Sequence, residues 1–138
     1  MKTLIVVVLF TLGSNFMNAQ DFAKHQWKQR IIIVSSPTFK NTLAKEQLAA
    51  LKKDLGAVKD RKLMVYHITN TGFTVDFDDT IKISENTETA ISSFKVSLIG
   101  LDGAKKFQAS NVQEAATFFN LIDTMPMRRA EIKSKNYE

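Results

Sequence analysis

The stretch HQWKQRIIIVSSP contains an uninterrupted run of four β-branched residues, Ile31 to Val34. Charged side chains precede this run, and the turn-forming residues Ser35, Ser36 and Pro37 follow it. A short apolar run with such boundaries is typical of a strand that is buried on both faces of a parallel sheet. The run therefore predicts an α/β domain in which this strand lies near the centre of the sheet.

The segments that follow complete a β-α-β unit. A helix is predicted next, with Asn41 or Thr42 as its N-cap and Gly56 at its end. Its apolar stripe consists of Ala44, Leu48, Leu51 and Leu55. A second apolar run, Leu63 to Ile68, predicts another buried strand. A strand, a helix and a strand in this order predict two parallel strands joined by a right-handed connection.

Two β-hairpins are predicted after the second strand. Apolar and polar residues alternate through residues 71–84, on both sides of Asp78 and Asp79, which indicates a small hairpin. A short helix is expected over residues 86–92. A second hairpin joins residues 94–99 to residues 104–108 through Asp102-Gly103, a pair that supplies the positive φ angles of a tight turn.

The last predicted helix begins at a capping box, either Ser110 with Gln113 or Asn111 with Glu114. Its apolar face consists of Val112, Ala115, Phe119 and Ile122. The predicted order of elements is therefore β-α-β, a crossover with a small hairpin, a β-hairpin and a C-terminal α-helix. This is the order of a thioredoxin-like α/β fold with a central mixed sheet.

A proline interrupts the end of that helix, in the stretch LIDTMPMRRAEI at residues 121–132, which we call the closing motif. Pro126 cannot donate a hydrogen bond to the carbonyl of Ile122, so the helix is expected to break near Thr124. Thr124 is predicted to cap a new turn, on which Arg128 and Glu131 have the spacing of a surface ion pair. The structural interpretation is that the motif turns the chain end back onto the domain.

The closing motif also has a functional interpretation. Met125 and Met127 are flexible apolar side chains, which in the structural interpretation fill an irregular gap beneath the break. In the functional interpretation they combine with Arg128 into an apolar patch with a cation, which a partner recognises. Asp123 is expected beside the positive end of the new turn, where its charge is favoured. The sequence leaves both interpretations open.

Residues 1–19 are predicted to be a signal peptide. Lys2 supplies a short positive region, and Leu4 to Leu12 is an apolar run too short to span a bilayer. Small and polar residues then lead to Ala19, the expected cleavage site. No later stretch is long and apolar enough for a transmembrane helix. Residues 20–138 are therefore expected to form one exported domain, periplasmic or secreted.

The composition excludes several classes of function. The chain has no cysteine, which excludes disulfides, thiol redox chemistry and cysteine-based metal sites. Its formal net charge of +5 is scattered and is not interleaved with aromatic residues, so we expect no nucleic-acid partner. The two histidines, His25 and His67, have no neighbours at ligand spacing. We therefore predict no metal and no cofactor.

Three stretches resemble a bacterial family of domains of unknown function, numbered 4174. HQWKQRIIIVSSP resembles the opening of that family, and the closing motif resembles its closing signature. VSLIGLDGAKKF resembles its hairpin, where the family has a lysine in place of Leu101. The resemblance implies a thioredoxin-like fold, similar to a module of extracellular sushi-repeat proteins and matrix-associated coiled-coil-domain proteins. It also implies adhesion or scaffold work, with a protein or an envelope or matrix component as partner.

A thioredoxin-like fold implies where redox chemistry would lie. In thioredoxins the turn after the first central strand carries the nucleophilic cysteine, and here that turn is Ser35 to Thr38. The cis-proline before the hairpin is also missing, because Pro37 and Pro126 are the only prolines. We therefore expect a redox-inactive binding or envelope-structural module and not a thiol oxidoreductase.

One alternative is an enzyme of unknown reaction that uses the turn from Ser35 to Thr38. Ser35 or Ser36 would be the nucleophile, with His67 as the base, since both lie at strand ends. However, the sequence lacks a G-x-S-x-G elbow, and Ser-Ser-Pro is ordinary turn chemistry. This alternative therefore ranks below the binding module.

Trp27 and Arg30 are the remaining candidates for a binding site. The first interpretation packs Trp27 at the sheet edge and pairs Arg30 with a carboxylate such as Asp123. The second places both residues in a groove at the carboxyl end of the first strand, where open α/β sheets tend to bind ligands. A further alternative is the capture of a small anion by Arg30 and Arg128.

Overall fold

A computed structural model of the chain describes residues 22–83 and 90–136. Six strands form one mixed sheet in the order β4-β3-β2-β1-β5-β6. β1 and β2 are parallel, and the other neighbouring pairs are antiparallel. This arrangement confirms the predicted β-α-β unit and the central position of the first strand. The strands are β1 Arg30–Ser35, β2 Leu63–Ile68, β3 Gly72–Val75, β4 Lys82–Ile83, β5 Lys95–Ile99 and β6 Lys105–Ala109.

The described part of the chain contains the helices α1 Thr42–Lys52, α2 Leu55–Asp60, α3 Ala115–Asp123 and α4 Pro126–Lys135. The predicted signal peptide lies outside the described residues, as do residues 86–89 of the predicted short helix. Residues 90–92 of that prediction are not helical. Ile91 is buried instead, and the side-chain amide of Asn70 bonds both its N–H, at 2.7 Å, and its carbonyl, at 3.0 Å.

The first helix begins as predicted but ends earlier. Asn41 caps it by accepting a hydrogen bond from the backbone three residues further on, at 3.0 Å. α1 ends at Lys52, and Asp54 caps α2 in the same way at 3.0 Å. Gly56 therefore lies inside α2 and ends no helix, and Leu55 is 50% exposed. The prediction failed because Leu55 matches the helical period, whereas Asp54 restarts the helix with a new axis.

Alternation along the strands separates the two faces of the sheet. Ile32 and Val34 of β1 face the helices and lie in the main core beside Phe118 of α3. Ile31 and Ile33 face the opposite side, in a second apolar cluster. Among the described residues, that second cluster draws on the strands and on two connecting segments but on none of the four helices. Within the described ranges, α1 to α4 thus leave the second face of the sheet uncovered.

The predicted capping box of the last helix is wrong. α3 begins at Ala115, and its N-cap Glu114 makes no side-chain hydrogen bond. The amide N–H of Gln113 donates instead to the side chain of Gln47 at 2.8 Å, and Gln47 donates back to its carbonyl at 3.0 Å. Gln47 lies on α1 and is wholly buried. A contact between distant segments thus satisfies the backbone that a local cap was expected to satisfy.

Pro126 separates α3 from α4 and confirms the predicted break near Thr124. Proline is the first residue of α4, where its missing N–H would have had no partner, and Met125 is the N-cap. The prediction that Thr124 caps the new turn is wrong. Its hydroxyl donates backwards to the carbonyl of Leu121 at 2.6 Å and so belongs to the end of α3.

Both predicted hairpins are confirmed. β3 pairs with β4, and β5 with β6, each in antiparallel register. In the second turn, Gly103 has a positive φ of 82°, but Asp102 does not share this conformation. Asp102 contributes through its carboxylate, which accepts a hydrogen bond from the N–H of Ala104 at 3.0 Å.

Candidate functional site

Hydrogen bonds close the carboxyl end of β1. Ser36 is wholly buried, and its hydroxyl donates to the carbonyl of Thr38 at 2.8 Å. The same oxygen lies 2.7 Å from Nε2 of His67. A hydroxyl has only one hydrogen to donate, so His67 is the donor in the second bond. This direction of the hydrogen bond is the reverse of that between a serine nucleophile and its histidine base, where the serine donates to the histidine.

Burial keeps His67 neutral. Removal of water from the imidazole lowers the pKa of His67 from 6.5 to about 4. The edge of its ring packs against Phe39, with ring centroids 5.1 Å apart. A neutral imidazole with a proton on Nε2 suits a structural donor to Ser36.

Ser35 faces the other side of the sheet, because consecutive strand residues alternate. Its hydroxyl donates to the carbonyl of Lys95 on β5 at 3.3 Å, and the residue is half-buried. The two candidate serines therefore do not share one site.

Arg30 lies at the opposite, amino end of β1 and is wholly buried. Its Nη1 and Nη2 atoms donate to the two carboxylate oxygens of Glu131, at 3.3 and 3.2 Å. Nη1 also donates to the carbonyl of Arg61 at 2.9 Å. Arg30 pairs with a carboxylate, as predicted, but that carboxylate belongs to Glu131 and not to Asp123, because the break at Pro126 lets α4 bring Glu131 to the guanidinium.

Asp123 is held by two other arginines. Its carboxylate accepts from Arg61 at 3.1 and 2.8 Å and from Nε of Arg128 at 3.0 Å. Burial raises the pKa of Asp123, but the hydrogen bonds from Arg61 and Arg128 outweigh it, so the pKa is lowered overall. The guanidinium of Arg61 also stacks over the ring of Phe119, 4.6 Å from its centroid.

Arg128 is 3% exposed and contacts three carboxylates. It donates to Asp60 at 2.7 Å and to Asp123 at 3.0 Å, and the predicted pair with Glu131 has a distance of 3.4 Å. Burial lowers the pKa of Arg128, but these carboxylates together raise it above its ordinary value. Hydrogen bonds from Lys135 and from Arg128 lower the pKa of Asp60 to about 2.

Six of these residues form what we call the closing cluster: Arg30, Asp60, Arg61, Asp123, Arg128 and Glu131. Each guanidinium in the cluster has a carboxylate partner, so an anion bound at the Nη atoms of Arg30 or at Arg128 would have to displace one of them. Capture of a small anion by Arg30 and Arg128 is therefore the weakest of the alternatives.

The two methionines of the closing motif have different positions. Met125 is half-buried and packs against the main core, as the gap-filling interpretation requires. Met127 is 43% exposed and does not fill a gap. The difference arises because residues on either side of Pro126 point in different directions once the helix breaks.

Trp27 is 62% exposed and has a positive φ of 68°. The backbone N–H of Trp27 donates to the carbonyl of Leu101, next to the second hairpin turn, at 2.7 Å. Trp27 therefore lies at the amino end of β1. The predictions that it packs on the sheet edge or lines a groove at the carboxyl end are both wrong, because the positive φ turns its ring out into solvent.

A small cavity of about 90 Å³ lies between the hairpin turn and the closing motif. Its lining includes Arg30, Leu101, Met125 and Met127, so the three stretches that resemble the family meet at this place. Nε of Arg30 is buried and has no hydrogen-bond acceptor within residues 22–83 and 90–136.

A larger groove of about 580 Å³ runs along the second face of the sheet. Its apolar residues include Ile31 and Ile33 of β1, Ile99 of β5 and Phe22. Polar side chains lie among and around them: Gln26, Gln29, Ser35, Lys95, Ser97, Asp102, Lys105 and Gln108. We call this feature the β1–β5 groove.

A family model described as Domain of unknown function (DUF4174) matches residues 21–131. The chain belongs to this family. The DUF4174 match includes β1, the second hairpin and nearly all of the closing motif, the stretches from which the resemblance was inferred. No curated protein matches the sequence.

The fold is similar to that of a solved structure. The DUF4174 chain is similar to a protein described as Plasmodium vivax 2-Cys peroxiredoxin in its reduced state, with a TM-score of 0.56 and 13% identity. The similarity covers 78% of this chain and 83% of that one. It confirms the predicted thioredoxin-like fold, and at this identity it shows the fold alone.

Two further findings concern the described residues of this DUF4174 domain. None of their helices is long and apolar enough to cross a membrane. They also contain no group of three or more histidine, aspartate or glutamate side chains placed to hold a metal ion.

The sequence alone did not identify Asp60 and Arg61 as members of the closing cluster or Gln47 as the partner of Gln113. It also did not identify Lys95 and Lys105 as groove residues. Asp60 and Arg61 end α2, where a charged pair looks like an ordinary solvated surface. Lys95 begins β5, and strand alternation was a signal that it shares a face with Ile99. Lys105 begins β6, and its place opposite Ile99 depends on the register of the two strands.

Proposed function

We propose that this DUF4174 chain is an exported, redox-inactive binding module that holds a small molecule in the β1–β5 groove. The groove volume of about 580 Å³ is the observation that carries the proposal. Small-molecule sites usually have about 300–1,000 Å³, an apolar floor and a few polar groups. The groove has this composition, and the corner that holds the nucleophile in thioredoxins is filled by Ser36 and His67.

Direct titration tests whether the groove binds small molecules. Amide resonances of isotope-labelled protein are followed while a set of neutral, anionic and cationic compounds is added. We expect saturable shifts at Ser97 and Gln108, which line the groove. Ser97→Phe fills the groove and should abolish them, whereas Asn120→Phe on the exposed side of α3 should not. A wild-type protein in which no compound shifts these amides would overturn the proposal.

Non-catalytic behaviour is tested by a fluorophosphonate probe, which labels activated serines. We expect no label on Ser35 or Ser36, because the hydroxyl of Ser36 is buried and donates to a carbonyl. Labelling of either serine, lost in His67→Gln, would favour the enzyme alternative.

Export is supported by the pattern of residues 1–19. After expression in a bacterial host, the protein recovered outside the cytoplasm should begin at Gln20. Ala19→Arg should block the cleavage and leave the precursor. A full-length chain confined to the cytoplasm would contradict export.

A second candidate function is attachment to a protein or an envelope or matrix component through Trp27 and Met127. It is favoured by their exposure of 62% and 43%. Leu101 contacts the backbone of Trp27 and lines the same small cavity as Met127. A photoreactive amino acid at position 27 should then crosslink to one envelope component, and Met127→Ser should reduce the yield.

A further inference from the structure

We infer that the β1–β5 groove binds an amphipathic anion, an unbranched apolar chain that ends in a carboxylate. This inference rests on the proposed binding function of the groove and adds the chemical class of its ligand. The unbalanced charges of the groove and their positions along its floor point to this class of ligand.

The unbalanced charge in the groove is positive. Among the described residues that line the groove, the only carboxylate is that of Asp102, which is paired with Lys106 at 2.8 Å. The ammonium of Lys105 donates to the neutral side chain of Gln108 at 3.0 Å. Lys95 forms no ion pair or side-chain hydrogen bond with any residue that the structure describes. Two lysines therefore face the groove without a carboxylate partner in the part of the chain that the structure describes, and a ligand carboxylate would complement them.

The two lysines lie at opposite ends of an apolar floor. Lys95 and Ile99 are on the same face of β5, about 13 Å apart along the strand at 3.3 Å per residue. Lys105 pairs with Ile99 in the register of β5 and β6 and so lies at the far end. Ile31 and Ile33 form the floor between them. An elongated ligand that lies along the strands matches this shape better than a compact one.

The carboxylate is assigned to the end of the groove at Lys95. Its ammonium has no partner among the described residues, whereas Lys105 already holds Gln108 and has Asp102 nearby in the groove lining. A carboxylate at the other end would have to approach Asp102. The apolar chain then lies over Ile33, Ile31 and Ile99.

The test uses dodecanoate as the probe, below its micelle concentration, and follows the groove amides of the full mature domain. Two matched probes separate charge from chain: dodecyltrimethylammonium has the same chain with a cation, and acetate has the carboxylate without the chain. We expect dodecanoate to bind with at least about tenfold higher affinity than either, a difference of about 1.4 kcal/mol. Anionic phospholipid vesicles form a further arm, which separates the monomer from a membrane surface.

Variants locate the head group. Lys95→Met should weaken dodecanoate binding about fivefold, the size expected for one partly exposed ion pair. Lys105→Met should have a smaller effect, and Lys59→Met, which removes an exposed lysine from α2, should have none. Ser97→Phe should abolish binding, and urea unfolding of each variant confirms that it is folded.

The outcomes distinguish failure of the inference from failure of the proposed function. If dodecyltrimethylammonium or neutral compounds bind the groove as well as dodecanoate, or if Lys95→Met has no effect, the inference is overturned and groove binding stands. If the protein binds anionic vesicles but not monomeric dodecanoate, the inference is likewise overturned. If no compound shifts the groove amides, the proposed function is overturned with it.

Discussion

Arg30 and Glu131 form a two-bond ion pair across 101 residues of sequence. Arg30 opens the central strand and is wholly buried, while Glu131 lies on the last helix with a side chain that is 16% exposed. A buried charge that loses its partner is costly, because the protein interior cannot solvate it. This pair therefore connects the position of α4 to the stability of the sheet.

Glu131→Gln should destabilise the domain by about 3 kcal/mol, since it leaves the buried guanidinium of Arg30 without a charge partner. Urea unfolding of the mature domain measures the change. Glu46→Gln, on the exposed side of α1, removes one carboxylate in the same way and should change stability by no more than about 0.5 kcal/mol. Equal stabilities of the two variants would show that the pair contributes nothing.

Arg128→Ala should lower the free energy of unfolding by more than about 2 kcal/mol, because three carboxylates lose a common donor. Asp123→Ala should cost less, about 1–2 kcal/mol, because its side chain is 34% exposed. The neighbour Arg129 is exposed and offers a control with the same charge change. If Arg128→Ala behaves like Arg129→Ala, the charge of Arg128 is not needed for folding, and the closing motif becomes the first surface to use as bait for a partner.

Deletion of residues 126–138 should leave a chain that does not fold stably. It removes Glu131 from Arg30 and Arg128 from Asp60 and Asp123 at once. Circular dichroism and urea unfolding measure the result beside the intact mature domain. A folded truncation of near-normal stability would contradict the structural interpretation of the closing motif.

Stability should fall as the pH is lowered from about 6.5 towards 4. In the folded protein the pKa of His67 is about 4, whereas an exposed histidine has 6.5, so between these values only the unfolded chain binds the proton. The contribution is fully present above pH 6.5, and its loss reaches at most about 3 kcal/mol. Urea unfolding at pH 7.5 and pH 5 measures it.

His67→Gln keeps a donor near the position of Nε2 but does not titrate, so it should flatten that pH dependence. His25 also has a pKa lowered by burial and by Lys24, so His25→Gln serves as the parallel variant. An unchanged pH dependence in His67→Gln would show that another group is responsible.

Much of the fold was predictable because its signals are local. The run Ile31 to Val34, the cap at Asn41 and the glycine at position 103 each act within a few residues. Two errors arose where a local pattern was misleading. Leu55 matched the helical period although Asp54 restarts the helix, and the polar residues before α3 looked like a capping box although Gln47 satisfies that backbone from another helix.

The candidate site was predictable in its residues but not in their grouping. Pattern and resemblance singled out both ends of β1 and the closing motif. They did not separate Ser36 from Ser35, nor place Trp27 and Arg30 at the end of the strand away from both serines. The β1–β5 groove was not predicted, because it depends on which face of the sheet the helices leave uncovered.

The sequence by itself determined the central strands, the two hairpins, the absence of thiol chemistry and the break at Pro126, since these depend on composition, periodicity and backbone chemistry within a few residues. Only the tertiary structure decided that Arg30 pairs with Glu131 and not with Asp123, and that Lys95 and Lys105 face one apolar floor. The physical reason is that ion pairing and burial depend on distance in space. That distance is set by the order of the strands and the side on which the helices pack, not by separation along the chain.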